Sequence, residues 1–157
     1  RASLSTARLM ANLNRHLYAS TSPEKYATFF FSIYDDQTEV LSYTNAGHLP
    51  PLLVRRGEVL TCDVNGTVVG AFPDVPYEES YLKLESGDLL VCYTDGITEP
   101  ENEYGEMFGE DRLIALLKSH SAREAGEVAE AVVRAVHDWT ASPELQDDMT
   151  LLVARKR

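Results

Sequence analysis

Leu89-Leu90-Val91-Cys92-Tyr93-Thr94-Asp95-Gly96 is the stretch on which the fold turns: an apolar, strand-like run ends in Thr and then an Asp-Gly pair. Before it the chain reads as strands and turns, and after it as an acidic loop followed by helices. Upstream, Tyr26 to Tyr34 is aromatic and β-branched with Phe29, Phe31 and Ile33 on one face, and Asp35-Asp36-Gln37 turns it into a second strand over Val40 to Thr44. Leu52 to Arg55 and Glu58 to Cys62 read as a hairpin across Arg56-Gly57. Glu79 to Leu84 and Leu89 to Thr94 read as another across Ser86-Gly87-Asp88. An amphipathic helix carrying Leu9, Met10, Leu13 and Leu17 is expected over residues 5–18. Downstream lie a short helix over Asp111 to Lys118 and a longer one, opened by a Ser121/Glu124 capping box and striped by Ala125, Val128, Ala129, Val132 and Val136. Met149 to Ala154 is apolar at nearly every position, which predicts a strand inside a sheet covered on both faces. Helix, strands, two helices, strand is an α+β order, predicting a mainly antiparallel β-sandwich flanked by helix layers.

The 157 residues are 44% hydrophobic and 25% charged, enough for a single domain that buries a core without disulfides or a structural metal. The net charge is -11, and it is uneven: residues 61–154 hold twenty acids and five bases. Such a field repels phosphate backbones and anionic lipid, so nucleic acid and membrane surfaces are not expected partners. No run approaches the length of a membrane span and no charged-then-apolar leader opens the sequence, so a soluble, cytoplasmic protein is expected. Cys62 and Cys92 sit in strand-like runs without CxxC spacing. Buried free thiols are the expectation, with one disulfide between them left open.

Four features bear on chemistry. Asp95-Gly96 commonly makes only a turn, yet a carboxylate at the end of a buried strand is held rigidly where loops converge. Asp147-Asp148, just before the last strand, reads equally as a solvated approach to that strand or as a ligand pair of which only one member faces a shared site. If Asp95 and Asp147 meet, their like charges call for a proton or a cation, and carboxylate-only ligation selects Mg2+ or Mn2+ over Zn2+. His48, in Asn45-Ala46-Gly47-His48-Leu49-Pro50-Pro51, is open to three readings: general acid, ligand, or a ring that fixes its loop through a backbone carbonyl. The loop from Asp95 to Asp111 carries seven acids and no base. It fails as an EF-hand, because Ile97 takes a ligand position and Pro100 the Gly position, and it reads as mostly solvated. Zincin, serine-hydrolase and P-loop signatures are absent.

Thr28-Phe29-Phe30, Asn45-Ala46-Gly47-His48 with Pro50-Pro51, Gly70 before Phe72-Pro73, Gly87-Asp88-Leu89, Tyr93-Thr94-Asp95-Gly96-Ile97-Thr98-Glu99, Phe108-Gly109 and Asp147-Asp148-Met149-Thr150 stand in this order. Together they resemble the bacterial metal-dependent protein phosphatase (PPM, protein phosphatase 2C-like) family, in its stage II sporulation protein E and sigma-factor-regulator branch. The resemblance implies a phosphoserine/phosphothreonine phosphatase with a two-metal Mn2+ or Mg2+ site at one end of a β-sandwich. It places Asp95 and Asp147 as metal ligands, Gly96 in the Asp-Gly motif, Asp148 beside the ligands, and Asn45 to His48 in a structural signature loop. It also implies single-step hydrolysis by a metal-activated water, without a phosphoenzyme. The implied substrate is a phosphorylated anti-sigma-factor antagonist of the STAS type.

Two segments of that family are missing: a Gly-Asp-aromatic segment and an Asp-x-x-Gly-His-Gly segment, whose aspartates complete the metal pair. The chain therefore resembles the C-terminal portion of such a domain, an N-terminally truncated single domain over residues 1–157. An exposed sheet edge, open to pairing with another chain as in a homodimer, is expected to follow. Two other readings stand beside the enzyme: a pseudophosphatase or regulatory binding module, and a purely structural domain whose acids are all solvated.

Overall fold

The computed structural model describes residues 4–22, 24–140 and 147–157. Its elements run α1 (Thr6–Ser20), β1 (Phe29–Asp35), β2 (Val40–Ala46), β3 (Leu52–Arg55), β4 (Glu58–Thr61), β5 (Ser80–Lys83), β6 (Leu89–Tyr93), α2 (Asp95–Thr98), α3 (Gly109–Ser119), α4 (Ala125–Thr140) and β7 (Leu151–Arg155). The strands form two antiparallel sheets, β1-β2-β5 and β4-β3-β6-β7. The α+β expectation holds. The chain divides into two compact units, Arg1–Pro50 with Cys62–Leu84 and Pro51–Thr61 with Glu85–Arg157. Among the described residues no helix is long and apolar enough to cross a membrane.

In the first unit, α1 lays Met10 onto Ala46 and Val69, with Leu13, Leu17, Phe31 and Tyr77 packed around them. Asn14, one turn on, is buried yet fully engaged: its amide donates to the carbonyls of Phe72 and Pro73 and accepts from the Gly70 N–H at 2.7 Å. Gly70 stands at φ +90°, and a Cβ there would lie 2.8 Å from Leu17 Cδ2, so only glycine lets the loop reach Asn14.

In the second unit, Leu52 and Val54 of β3 and Leu89, Val91 and Tyr93 of β6 alternate onto one face of the sheet. Leu113 and Leu117 of α3 and Val128, Val132 and Val136 of α4 complete that core. Arg56 and Gly57 both have positive φ, which gives the β3–β4 hairpin its tight two-residue turn. Asp88, only 2% exposed, is clasped by the Arg55 guanidinium at 2.6 and 2.9 Å and accepts the Glu85 N–H. Burial pushes the Asp88 carboxyl up, and the Arg55 and Glu85 hydrogen bonds outweigh it, leaving it below its ordinary value.

Three expectations need correction. β5 and β6 do not form a hairpin: β5 pairs with β2, and β6 already has a partner on each side, β3 and β7. The turn between them instead folds Asp88 back onto Arg55, a contact that no local pattern encodes. β7 is not interior, because among the described residues only β6 pairs with it, and Leu152 is 54% exposed. An apolar run reports on the two faces of a strand and says nothing about its neighbours in the plane of the sheet. The capping contact lies three residues later than Ser121/Glu124: the Glu127 carboxylate accepts the Glu124 N–H, and the Glu124 carbonyl accepts the first helical hydrogen bond of α4, from Val128. Neither Cys62 nor Cys92 forms a disulfide, and burial pushes the Cys92 thiol up to about 11.

A distant carboxylate caps α1. Glu79 Oε2 accepts the backbone N–H groups of Thr6 and Ala7 and the hydroxyls of Ser5 and Thr6, while Tyr81 donates to Oε1 at 2.6 Å. Burial works to raise this carboxyl, but the Tyr81, Thr6, Ser5 and Ala7 bonds hold it at about 2, against an ordinary value of 4.5. A carboxyl depressed by folding stabilises the native state fully above its unfolded pKa and loses that contribution as pH falls through the folded one. After discounting for solvent screening, Glu79→Gln is expected to cost about 1–2 kcal/mol at pH 7. The gap between variant and wild type should close as pH falls from 4.5 toward 2. Urea unfolding across that range checks the sign.

Candidate metal site

Antiparallel pairing of β6 with β7, in the register Tyr93↔Leu151, carries the segment after Tyr93 and the segment before Leu151 to the same end of the sheet. Asp95 and Asp147 occupy those segments. Thr94 closes β6 in an extended conformation, and Asp95 opens α2, a four-residue helix where the sequence reads as loop. Ile97, fully buried, pins that helix to the core, and its N–H bonds the Thr94 carbonyl at 3.0 Å.

A threonine pair ties the two segments together. The Thr94 N–H donates to the Thr150 carbonyl, and the Thr150 N–H donates to Thr94 Oγ1, each at 3.1 Å. Beside this clasp, Gly96 touches the chain at Asp148. A Cβ on residue 96 would run into the Asp148 carbonyl, 2.9 Å from its carbon and 3.3 Å from Met149 Cα. The glycine of the Asp-Gly pair is therefore a requirement of close backbone approach.

Asp95 and Asp147 are both exposed, and each accepts a hydrogen bond from the N–H of the next residue, at 2.9 Å from Gly96 and 2.7 Å from Asp148. Among the described residues neither forms an ion pair with Lys or Arg. Asp148 is exposed as well, and its contribution here is the backbone that meets Gly96. Among the described residues no three His, Cys, Asp or Glu side chains gather to hold one ion. The sheet end offers oxygen-only donors on two adjoining segments, a chemistry that fits a hard divalent cation with water or further carboxylates completing its shell.

Asn45 and His48 belong to the first unit and meet each other there. Asn45 is fully buried: its amide donates to the Cys62 carbonyl at 3.1 Å and accepts the His48 N–H at 2.9 Å, while its own N–H donates to Asn65 Oδ1 at 2.7 Å. The His48 ring, with the proton on Nδ1, donates to the Leu49 carbonyl at 2.9 Å. Asn65, which no sequence pattern marks, closes this network through Ser80 and the Tyr43 carbonyl.

The acidic loop is more ordered than its composition implies. Asn102 accepts the N–H groups of Tyr104 and Glu106, Glu101 pairs with Met107, and the Phe108 N–H bonds the Pro100 carbonyl at 2.9 Å. Glu99, Glu101, Glu103 and Glu106 remain exposed. At the edge of the core, Tyr93 donates to Glu110 Oε2 at 2.6 Å, and burial together with that carboxylate raises the phenol above its ordinary value.

The family model described as stage II sporulation protein E (SpoIIE) matches residues 1–157. Phosphoserine phosphatase RsbU of Bacillus subtilis (strain 168) is 28% identical over 156 residues, a match covering 96% of this chain and 45% of that protein. The chain thus spans less than half the length of this curated relative. Among solved structures, the SiaA-PP2C domain of Pseudomonas aeruginosa superposes with a TM-score of 0.86 at 20% identity, over 98% of this chain and 61% of that one. The catalytic domain of the serine/threonine protein phosphatase PstP, solved in complex with two manganese ions, superposes with a TM-score of 0.71 at 14% identity, over 99% of this chain and 73% of that one.

An ordinary Gly→Ala change inside a helix stabilises by up to about 1 kcal/mol. At Gly96 the sign should reverse: the methyl must displace the Asp148 backbone, for a net cost of about 1–3 kcal/mol. Chemical denaturation of Gly96→Ala measures it, and a variant at or above wild-type stability would show that the two segments are not held in contact.

Proposed function

The chain belongs to the stage II sporulation protein E family, and from that premise we propose that it forms the Asp-Gly side of a metal-dependent protein-serine/threonine phosphatase centre. The observation that carries this reading is the backbone contact of Gly96 with Asp148, which sets the Asp95 and Asp147 segments side by side at one sheet end. In this reading Asp95 and Asp147 hold Mn2+ or Mg2+, two ions being shared in a complete domain. When bound, such ions neutralise phosphoryl oxygens and lower the pKa of an attacking water. The roles left to this chain are its own. Thr94 and Thr150 hold the two segments in register, Gly96 allows their approach, and the exposed carboxylates leave the site open to a protein-borne phosphate.

The substrate in this reading is a phosphoserine or phosphothreonine protein, specifically a STAS-type anti-sigma-factor antagonist of a bacterial cytoplasmic signalling system. Name and resemblance support it: RsbU is a phosphoserine phosphatase, and the sequence motifs place the chain in the same branch. A chain of net charge -11 repels a phosphoprotein unless cations reverse the sign locally, which ties substrate binding to metal binding. Asp148, Asn45 and His48 support the loops and take no part in the reaction.

One observation favours a second reading, a binding module without turnover: among the described residues no three His, Cys, Asp or Glu side chains gather to hold one ion. The two readings separate by titration and assay. Mn2+ should bind the wild-type chain and lose at least about 10-fold in affinity in the Asp95→Asn/Asp147→Asn double variant. Equal affinities by calorimetry would remove the metal site. With Mn2+ present, the 157-residue chain is expected to hydrolyse p-nitrophenyl phosphate negligibly, whereas a longer chain carrying both missing segments should turn it over only with Mn2+ or Mg2+. Robust turnover by the shorter chain would show that two carboxylates suffice.

A further inference from the structure

The segment that follows Asp95 is closed from behind by a cation and an indole. Trp139 on α4, the only tryptophan of the chain, donates its Nε1–H to the Glu106 carbonyl at 2.9 Å. Arg112 on α3 lies over the same ring, 4.0 Å from its centroid, and donates to the carbonyls of Met107 and Phe108 at 3.2 and 3.0 Å. Phe108, 4% exposed, meets the indole edge-on with centroids 6.2 Å apart. Three successive residues, Glu106 to Phe108, are thus fixed by two side chains that have no other hydrogen-bond partner among the described residues.

What they fix leads back to Asp95 in two short steps. The Phe108 N–H bonds the Pro100 carbonyl, which closes the loop, and the Glu99 N–H bonds the Asp95 carbonyl at 2.7 Å, which closes α2. A helix of four residues has almost no hydrogen bonds of its own, so its orientation depends on what holds its two ends. Thr94 and Ile97 hold the first end. The closed loop holds the second, together with the packing of α2 against α3.

Resting on the metal reading of Asp95, we propose that Arg112 and Trp139 are positioning residues for that carboxylate: they lock residues 99–108 and thereby set the angle at which Asp95 meets the cation. Trp139 also packs against the core that includes Phe108, which ties the clamp to α4.

The test uses the 157-residue chain in four forms: wild type, Trp139→Phe, which keeps a ring but removes the N–H donor, Arg112→Ala, and Val132→Ala as a core control. Mn2+ affinity is read by calorimetry, and loop closure by amide hydrogen exchange over residues 99–108. Both clamp variants should exchange faster there and bind Mn2+ about 10-fold more weakly, the low end of what partners of metal ligands carry. Val132→Ala should lose stability without that loss of affinity. Faster exchange with unchanged Mn2+ affinity overturns the positioning role, as does an equal loss in Val132→Ala. A wild-type chain that takes up no Mn2+ overturns the metal reading and the positioning role together, and its own isotherm tells that outcome from the other two.

Discussion

Everything at the candidate site depends on a missing methyl group. With no Cβ on residue 96, the backbone of α2 can rest against the Asp148 carbonyl, and the end of β6 and the approach to β7 become one surface. The sheet makes this contact possible, since antiparallel register brings Tyr93 opposite Leu151. The Thr94–Thr150 bonds then extend the ladder one step past the last regular pair. Remove the contact and the Thr94–Thr150 bonds still pair the two segments, but α2 no longer rests against the Asp148 backbone.

The chain's many carboxylates divide by what answers their charge. Asp88 is buried and answered by Arg55, a pairing that would leave an uncompensated charge if either partner were lost. Glu79 is answered by the N-terminus of α1, where backbone and hydroxyl donors converge on one oxygen. These two hold the units' architecture. Asp95 and Asp147 are answered, among the described residues, only by the N–H of the residue that follows each. Asp35 is exposed in the same way and accepts the N–H groups of Gln37 and Thr38, so in the proposed reading what marks Asp95 and Asp147 is their place on adjoining segments at one sheet end.

How much of this the sequence disclosed follows from the range of each interaction. Periodicity is local, so α1, the β1–β2 and β3–β4 hairpins and the Val128-Val132-Val136 stripe were legible from residues a few positions apart. Asp95-Gly96 and Asp147-Asp148 were legible as motifs, and their shared sheet end followed once β6 and β7 were paired. Strand order was not legible. Whether β5 turns back onto β6 or away to β2 depends on partners that lie some forty residues off in sequence, and apolarity cannot tell an edge strand from a central one. The same limit hid the Glu79 cap and the Arg112–Trp139 clamp. Their signals were a lone Trp and an Arg one turn into a helix, and each acquires meaning only from the loop carbonyls it reaches.

Exposure bears on what the proposed metal site would do. Two like charges about 4 Å apart in water repel by only about 1 kcal/mol, whereas in a dry interior the same pair would be intolerable without an ion. Asp95 and Asp147 are solvated, so the fold carries them without a cation, and its cohesion comes from the Leu52-to-Val136 core and the Arg55–Asp88 pair. A structural zinc site works the opposite way, with ligands that collapse only around the metal. In the proposed reading, a carboxylate pair that is wet at its oxygens and unnecessary to the core takes up and releases a hard cation without unfolding. That property separates a catalytic centre from a structural one.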